Sequence, residues 1–220
     1  MEEQVCKITG LDVSPLSEEA LFQHWLARMP ERRRKKALSF RFPEGRRLSL
    51  GAGILLKRAL EEEGVDASSA VIRENEFGQP YLRDEPDLHF SLSHSGSVAL
   101  CALSGRPVGC DAEQVGRGDG RIADRFFHPE EQALLSTVRD PAQWQRLFAR
   151  IWTRKESYLK ALGKGLNEPM DSFSAVNPPP GVRYAEPEPP EGLFRSAEYA
   201  FSCCVLGEGE TEFLWRTETL

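Results

Sequence analysis

Three short segments of this chain carry residue types at spacings that could do chemistry. The first is Gly109-Cys110-Asp111-Ala112-Glu113. In a strand, residues two apart share a face, so Asp111 and Glu113 point one way while Cys110 and Ala112 enter a core. Parallel carboxylates repel unless a cation or a shared proton lies between them. A hard divalent ion suits them, because Mg²⁺ takes oxygen ligands and keeps waters and substrate phosphates about it. A plain polar strand end accounts for the same residues. The second segment runs from Trp152 to Lys160, where Trp152, Glu156 and Lys160 are four apart and stack on one helix face. Either they are a solvated Glu–Lys pair beside a half-buried Trp, or Glu156 is a third ligand or a base with Lys160 next to it for a phosphate. The third is Ser93-His94-Ser95 at the end of a strand. His94 can hydrogen-bond a phosphate, act as a base, or be an ordinary loop residue. No Gly-x-Ser-x-Gly elbow accompanies the serines, which argues against a hydrolase nucleophile at Ser93 or Ser95.

The charge distribution adds a counterpart to the acids. The 220-residue chain has a net charge of −6, which argues against general nucleic-acid binding. Between Glu31 and Arg47 lie eight basic residues and two acidic ones, a local charge of +6, so the remainder carries −12. A compact basic patch on an acidic body suits a small polyanion better than a long duplex. The longest apolar run is six residues, Val98–Leu103, too short for a membrane span, and the N-terminal residues lack the apolar stretch of a signal peptide. Five cysteines without Cys-x-x-Cys or zinc spacing suggest free core thiols in a reducing, cytoplasmic setting.

The elements that must position these residues read as α+β. Gln4–Gly10 is an expected strand. Ser17 is an expected N-cap for a helix carrying Leu21, Phe22, Trp25, Leu26 and Met29. Pro30 opens a short basic helix and Pro43 a longer one that ends at Gly64. Val71–Arg73 and Pro80–Leu82 form short strands about an Asn75–Gly78 turn. Leu88–Leu92 and Val98–Leu103 flank Ser93–Ser97, and a turn at Ser104–Pro107 leads to Val108–Glu113. Helices are expected up to Phe126–Phe127, over Pro129–Ser136, and from Pro141 to Leu162 behind an Asp140 cap. Asn177–Glu191, with six of the fifteen prolines, reads as a loop, and Tyr199–Leu206 and Glu212–Trp215 as terminal strands. This order suits two α+β halves, residues 1–105 with the basic segment and 106–220 with the carboxylates.

Taken together the segments resemble the 4′-phosphopantetheinyl transferases of the large monomeric type. The matching stretches are Phe90–Gly96, Val108–Glu113, Phe126–Glu130, Ile151–Leu166 and Pro169–Val176, with the basic Pro30–Arg47 segment and Gly51 upstream. Gly-x-Asp-x-Glu alone is weak; followed some forty residues later by the Trp152–Lys160 pattern, with Ser-His-Ser before it, it is specific. The resemblance implies two similar halves related by a pseudo-twofold axis, with coenzyme A and Mg²⁺ (Mn²⁺ as the alternative) in the cleft between them. It implies transfer of the phosphopantetheine arm to a serine of an apo acyl or peptidyl carrier protein by a monomer. Carried over by position, Asp111, Glu113 and Glu156 hold the metal, Glu156, Lys160 and Asp111 do the chemistry, and Ser93, His94, Gln79 and Lys160 contact coenzyme A. Arg32, Lys36 and Arg47 are the candidates for its 3′-phosphate, with the register inside Arg32–Lys36 open by a residue. Relatives often carry Gly-Lys-Pro where this chain has Gly78-Gln79-Pro80, so a charge is missing there. The rival classes are a metal-dependent nuclease or phosphohydrolase using the same acids, and a binding module without catalysis. Phe126 and Phe127 belong either to the core or to a partly apolar docking face.

Overall fold

Alternation along the central strands divides the core into layers, as seen in a computed structural model that describes residues 4–187 and 197–220. Strand β1 (Gln4–Asp12) is followed by helices α1 (Glu19–Ala27), α2 (Glu31–Leu38) and α3 (Pro43–Glu62). Next come the hairpin β2 (Ile72–Glu74) and β3 (Pro80–Leu82), then β4 (His89–Ser95), β5 (Val98–Ser104) and β6 (Val108–Gln114). The second half adds α4 (Gly120–Phe126), α5 (Pro129–Thr137), α6 (Pro141–Leu162), β7 (Val182–Ala185), β8 (Tyr199–Leu206) and β9 (Thr211–Glu218).

A four-stranded sheet runs in the order β4-β5-β1-β9, and a three-stranded antiparallel sheet in the order β6-β8-β7. Successive residues of β5 serve two cores. Ala99, Cys101 and Leu103 pack with Leu50, Ile54, Leu55 and Leu60 of α3. Val98, Leu100 and Ala102 face the other way, onto Val108, Cys110 and Ala112 of β6 and Phe201, Cys203 and Val205 of β8. Helix α6 covers the outer face of the smaller sheet through Ala161 and Tyr158. The order of layers is therefore α3, sheet, sheet, α6. The last strand crosses over: β9 lies parallel to β1 at the edge of the first sheet.

Two expectations change, one strand is longer than expected, and one open alternative closes. Ser17 lies in a 3₁₀ turn, Ser14–Ser17, and Glu18 precedes α1 without a side-chain cap. The strand expected over Leu88–Leu92 is β4, which runs on through Ser93–Ser95 and pairs with β5 up to Ser95 and Val98. Part of the proline-rich loop is strand β7, paired with β8 from Val182 to Ala185 and anchored by Val182 beside Cys204 and Ala161. Residues 188–191 of that expected loop lie outside the described residues. Phe127 is fully buried, stacked 5.1 Å from Phe148, so it belongs to the core rather than to a docking face, and Phe126 is half-buried beside it. All five cysteines are free and buried. Among the described residues no helix is long and apolar enough to cross a membrane.

Candidate active site

The period-two reading of β6 holds: Cys110 and Ala112 are in the inter-sheet core, and Asp111 and Glu113 face α6. What brings strand and helix so close is Gly109. A Cβ there would lie 1.8 Å from the Ser157 carbonyl oxygen and 2.5 Å from the Ala161 nitrogen, so no other residue fits without displacing helix backbone. Across this contact Lys160 reaches the strand, with Nζ 2.6 Å from Asp111 Oδ1 and 3.0 Å from the Cys110 carbonyl. Ser93 donates to the same Asp111 oxygen at 2.7 Å. Ser95 donates to Glu113 Oε2 at 3.3 Å, and Arg117 stands 3.9 Å from the other Glu113 oxygen.

A cleft of about 380 Å³ opens beside these groups. Its lining includes Asp111, Glu113, Glu156, Lys160 and Trp152 from β6 and α6, and Ser93, His94, Gln79, Lys36 and Arg33 from the first half of the chain. Two of the expected anion contacts are absent from it. Arg32 donates to the Ile72 carbonyl and pairs with Glu74 at 3.4 Å, facing an adjoining hollow, and Arg47 pairs with Glu44 at 3.4 Å. Arg33 takes the inward position instead. Positions 33 and 36 are one turn apart on α2, so they share the face turned to the cleft. Arg33 bonds the Ser49 carbonyl, but its buried Nε has no partner. Gln79 is held by the hairpin: Asn75 Oδ1 accepts its N–H at 2.9 Å, while Asn75 Nδ2 donates at 2.7 Å to the carbonyl of Gly163, which ends α6 in the left-handed region at φ 66°.

The cleft carries both signs of charge. Burial, and then the Asp111 charge, raise the carboxyls of Glu113 and Glu156 above the usual range. Burial lowers Lys36, with Arg33 adding to it, and burial lowers Arg33 to about 10. Burial also lowers His94, with Lys160 and Arg33 pushing the same way. Lys160 is held up: burial opposes its charge most, and Asp111, Cys110 and Glu156 together outweigh it. The same cleft thus holds acids in need of a cation and cations in need of an anion.

Whether a divalent ion fits is a question of donor chemistry. Among the described residues no three acidic, histidine or cysteine side chains are gathered tightly enough to cage an ion. Mg²⁺ does not require a cage. It uses one or two carboxylates and leaves its other positions to water and substrate phosphates. An all-oxygen set on one wall of an open cleft, with two carboxyls raised by burial and by a neighbouring acid, fits that pattern.

A sequence model of the 4′-phosphopantetheinyl transferase superfamily (ACPS) matches residues 107–204. A 4′-phosphopantetheinyl transferase of Bacillus subtilis is 35% identical over 169 residues, covering 76% of this chain and 75% of its own. The 4′-phosphopantetheinyl transferase gsp of Aneurinibacillus migulanus is 34% identical over 168 residues, 71% of this chain and 67% of its own. The 4′-phosphopantetheinyl transferase HetI of Nostoc sp. is 36% identical over 172 residues, 74% and 72% respectively.

Proposed function

The chain belongs to the 4′-phosphopantetheinyl transferase superfamily, and from that premise we propose that it transfers the phosphopantetheine arm of coenzyme A to a serine of an acyl or peptidyl carrier protein, with Mg²⁺, releasing adenosine 3′,5′-bisphosphate. The observation that supports this most is one cleft lined both by the acids Asp111, Glu113 and Glu156, which suit a metal, and by Arg33 and Lys36, which suit a phosphate. A cosubstrate with phosphates at two separate places needs cations at two separate places.

Asp111, Glu113 and Glu156 would hold the metal, whose positive charge offsets the pyrophosphate and supports in-line displacement. Glu156 accepts the proton of the carrier serine. Lys160, kept charged by Asp111, neutralises the phosphate that leaves. Arg33 and Lys36 meet the 3′-phosphate, and His94 donates a hydrogen bond to a phosphate oxygen. Ser93 lines the same cleft, but its hydroxyl already accepts from Ala112 N and donates to Asp111. The reading keeps the enzyme a cytoplasmic monomer, in line with five free buried thiols.

Incubation with coenzyme A, Mg²⁺ and a panel of apo carrier domains tests the proposal. Release of adenosine 3′,5′-bisphosphate only when an acceptor is present supports it. Release without an acceptor means a phosphohydrolase, and binding without release means a non-catalytic module. Gln79→Lys places a charge on the cleft wall, and we expect coenzyme A to bind about fivefold more tightly by calorimetry, the worth of one partly exposed ion pair. An unchanged dissociation constant would mean that Arg33 and Lys36 already satisfy the phosphates.

A further inference from the structure

The two sheets meet along β4 and β6, and they meet through side chains. The N–H groups of Cys110, Ala112 and Gln114 donate to the hydroxyls of Ser91, Ser93 and Ser95 at 3.0, 3.2 and 3.1 Å. The offset is nineteen residues each time, so the period of β4 matches the period of β6 without slipping. A strand edge left unpaired inside a protein would leave its N–H groups without partners. Here three serines, each under 8% exposed, supply the acceptors.

Two of these hydroxyls also pass on their own proton. Ser93 donates to Asp111 and Ser95 to Glu113, so the same relay from N–H to hydroxyl to carboxylate occurs twice, two residues apart. At the place where a third relay would end stands Gly109, which has no side chain to receive it, so Ser91, although it lines the cleft, joins the sheets without reaching an acid. Ser95 does not line the cleft, and its hydroxyl reaches Glu113 from outside it.

We propose that Ser95 is a positioning residue, acting together with Ser93: it holds Glu113 in the orientation that receives the metal, while the same oxygen locks the register between the two sheets. The inference rests on the metal reading given above. One hydroxyl thereby ties the geometry of the acids on β6 to the strand that carries His94. An alanine at 95 frees the rotamers of Glu113 and strands the Gln114 N–H; an alanine at 91 strands the Cys110 N–H and touches no acid.

That difference sets the experiment. Ser95→Ala and Ser91→Ala are compared for urea unfolding, for Mn²⁺ affinity of the free enzyme by electron paramagnetic resonance, and for kcat and KM with coenzyme A. Both variants should lose stability to a similar degree. Only Ser95→Ala should weaken Mn²⁺ binding, by about tenfold, as expected when a hydrogen bond behind a metal ligand is removed. Its kcat should fall while its KM for coenzyme A stays put, since Ser95 touches no substrate. Equal Mn²⁺ affinities in the two variants, or a rise in KM with kcat unchanged, would overturn the role. Absence of Mn²⁺ binding by the unaltered enzyme would instead overturn the metal reading, and the inference with it.

Discussion

Replacing Glu156 by glutamine is expected to reduce holo-carrier formation by about three orders of magnitude or more, because in the proposed mechanism it removes both a metal-binding oxygen and the base, together worth several kcal/mol of barrier. The fold should not suffer. Glu156 makes no ion pair among the described residues, and burial and the Asp111 charge disfavour its ionised form. A glutamine of the same shape relieves that cost above neutral pH, so the metal-free variant should melt at the same temperature as the parent or slightly higher. With Mg²⁺ and coenzyme A present the order should reverse, since ligands stabilise only the protein that binds them. Asp111→Ala should lose activity to the same degree and also lose stability, because Lys160 then lacks the partner that now lies 2.6 Å away. Mass spectrometry of the carrier and circular dichroism of the enzyme separate the two effects. Near-parental turnover by Glu156→Gln would remove this residue from both roles.

Much of this site is legible in the sequence because it is built from local periods. Two-residue spacing puts Asp111 and Glu113 on one side of β6, and four-residue spacing puts Trp152, Glu156 and Lys160 on one side of α6. Gly109 belongs to the same local logic, although its reason is spatial: it is where strand and helix backbones touch. The basic helix was less readable. Arg32 to Lys36 are all basic, so the run carries no hydrophobic phase, and the inward face is set by Ala37, the one fully buried residue of α2. Hence Arg33 rather than Arg32 turns to the cleft. Ser91, Ser93 and Ser95 have the alternation of a strand without its hydrophobicity, because their buried partner is a polar strand edge, so the apolar pattern marks the strand only as far as Leu92 although β4 continues to Ser95. The seat of β9 beside β1 depends on contacts between opposite ends of the chain, which no local pattern encodes. A coupling of the two halves through β9 and the serine contacts means that the boundary at 105/106 divides the sequence more cleanly than it divides the packing.

The residue before Glu156 shows the limit of pattern reading most sharply, and it carries the largest expected stability effect. In a run of Arg154, Lys155 and Glu156, a lysine reads as solvated, yet Lys155 has no exposed surface at all. Its Nζ lies 2.8 Å from Glu131 Oε2 and donates at 2.8 Å to the carbonyls of Met170 and Phe173, above the Phe173 ring. Glu131 in turn accepts the N–H of His128 at 2.8 Å, capping α5, and that of Ala175 at 2.6 Å. One pair thus joins α5, the 170–175 segment and α6, on the face of α6 away from the cleft. Removing one member of such a pair leaves a buried charge and two polar groups without partners, and Lys155→Met should cost about 3–5 kcal/mol in urea unfolding. Lysine is rarely fully buried unless paired, so the pair is better understood as a fastening than as a source of net stability. It follows that Lys155→Met combined with Glu131→Leu should recover part of the loss, as a coupled pair in a double-mutant cycle does. Since neither side chain lines the cleft, the activity of each variant per folded molecule should stay within about tenfold of the parent, the span of modest misplacement rather than of a lost catalytic group. A collapse of kcat at unchanged stability would place Lys155 in the chemistry after all.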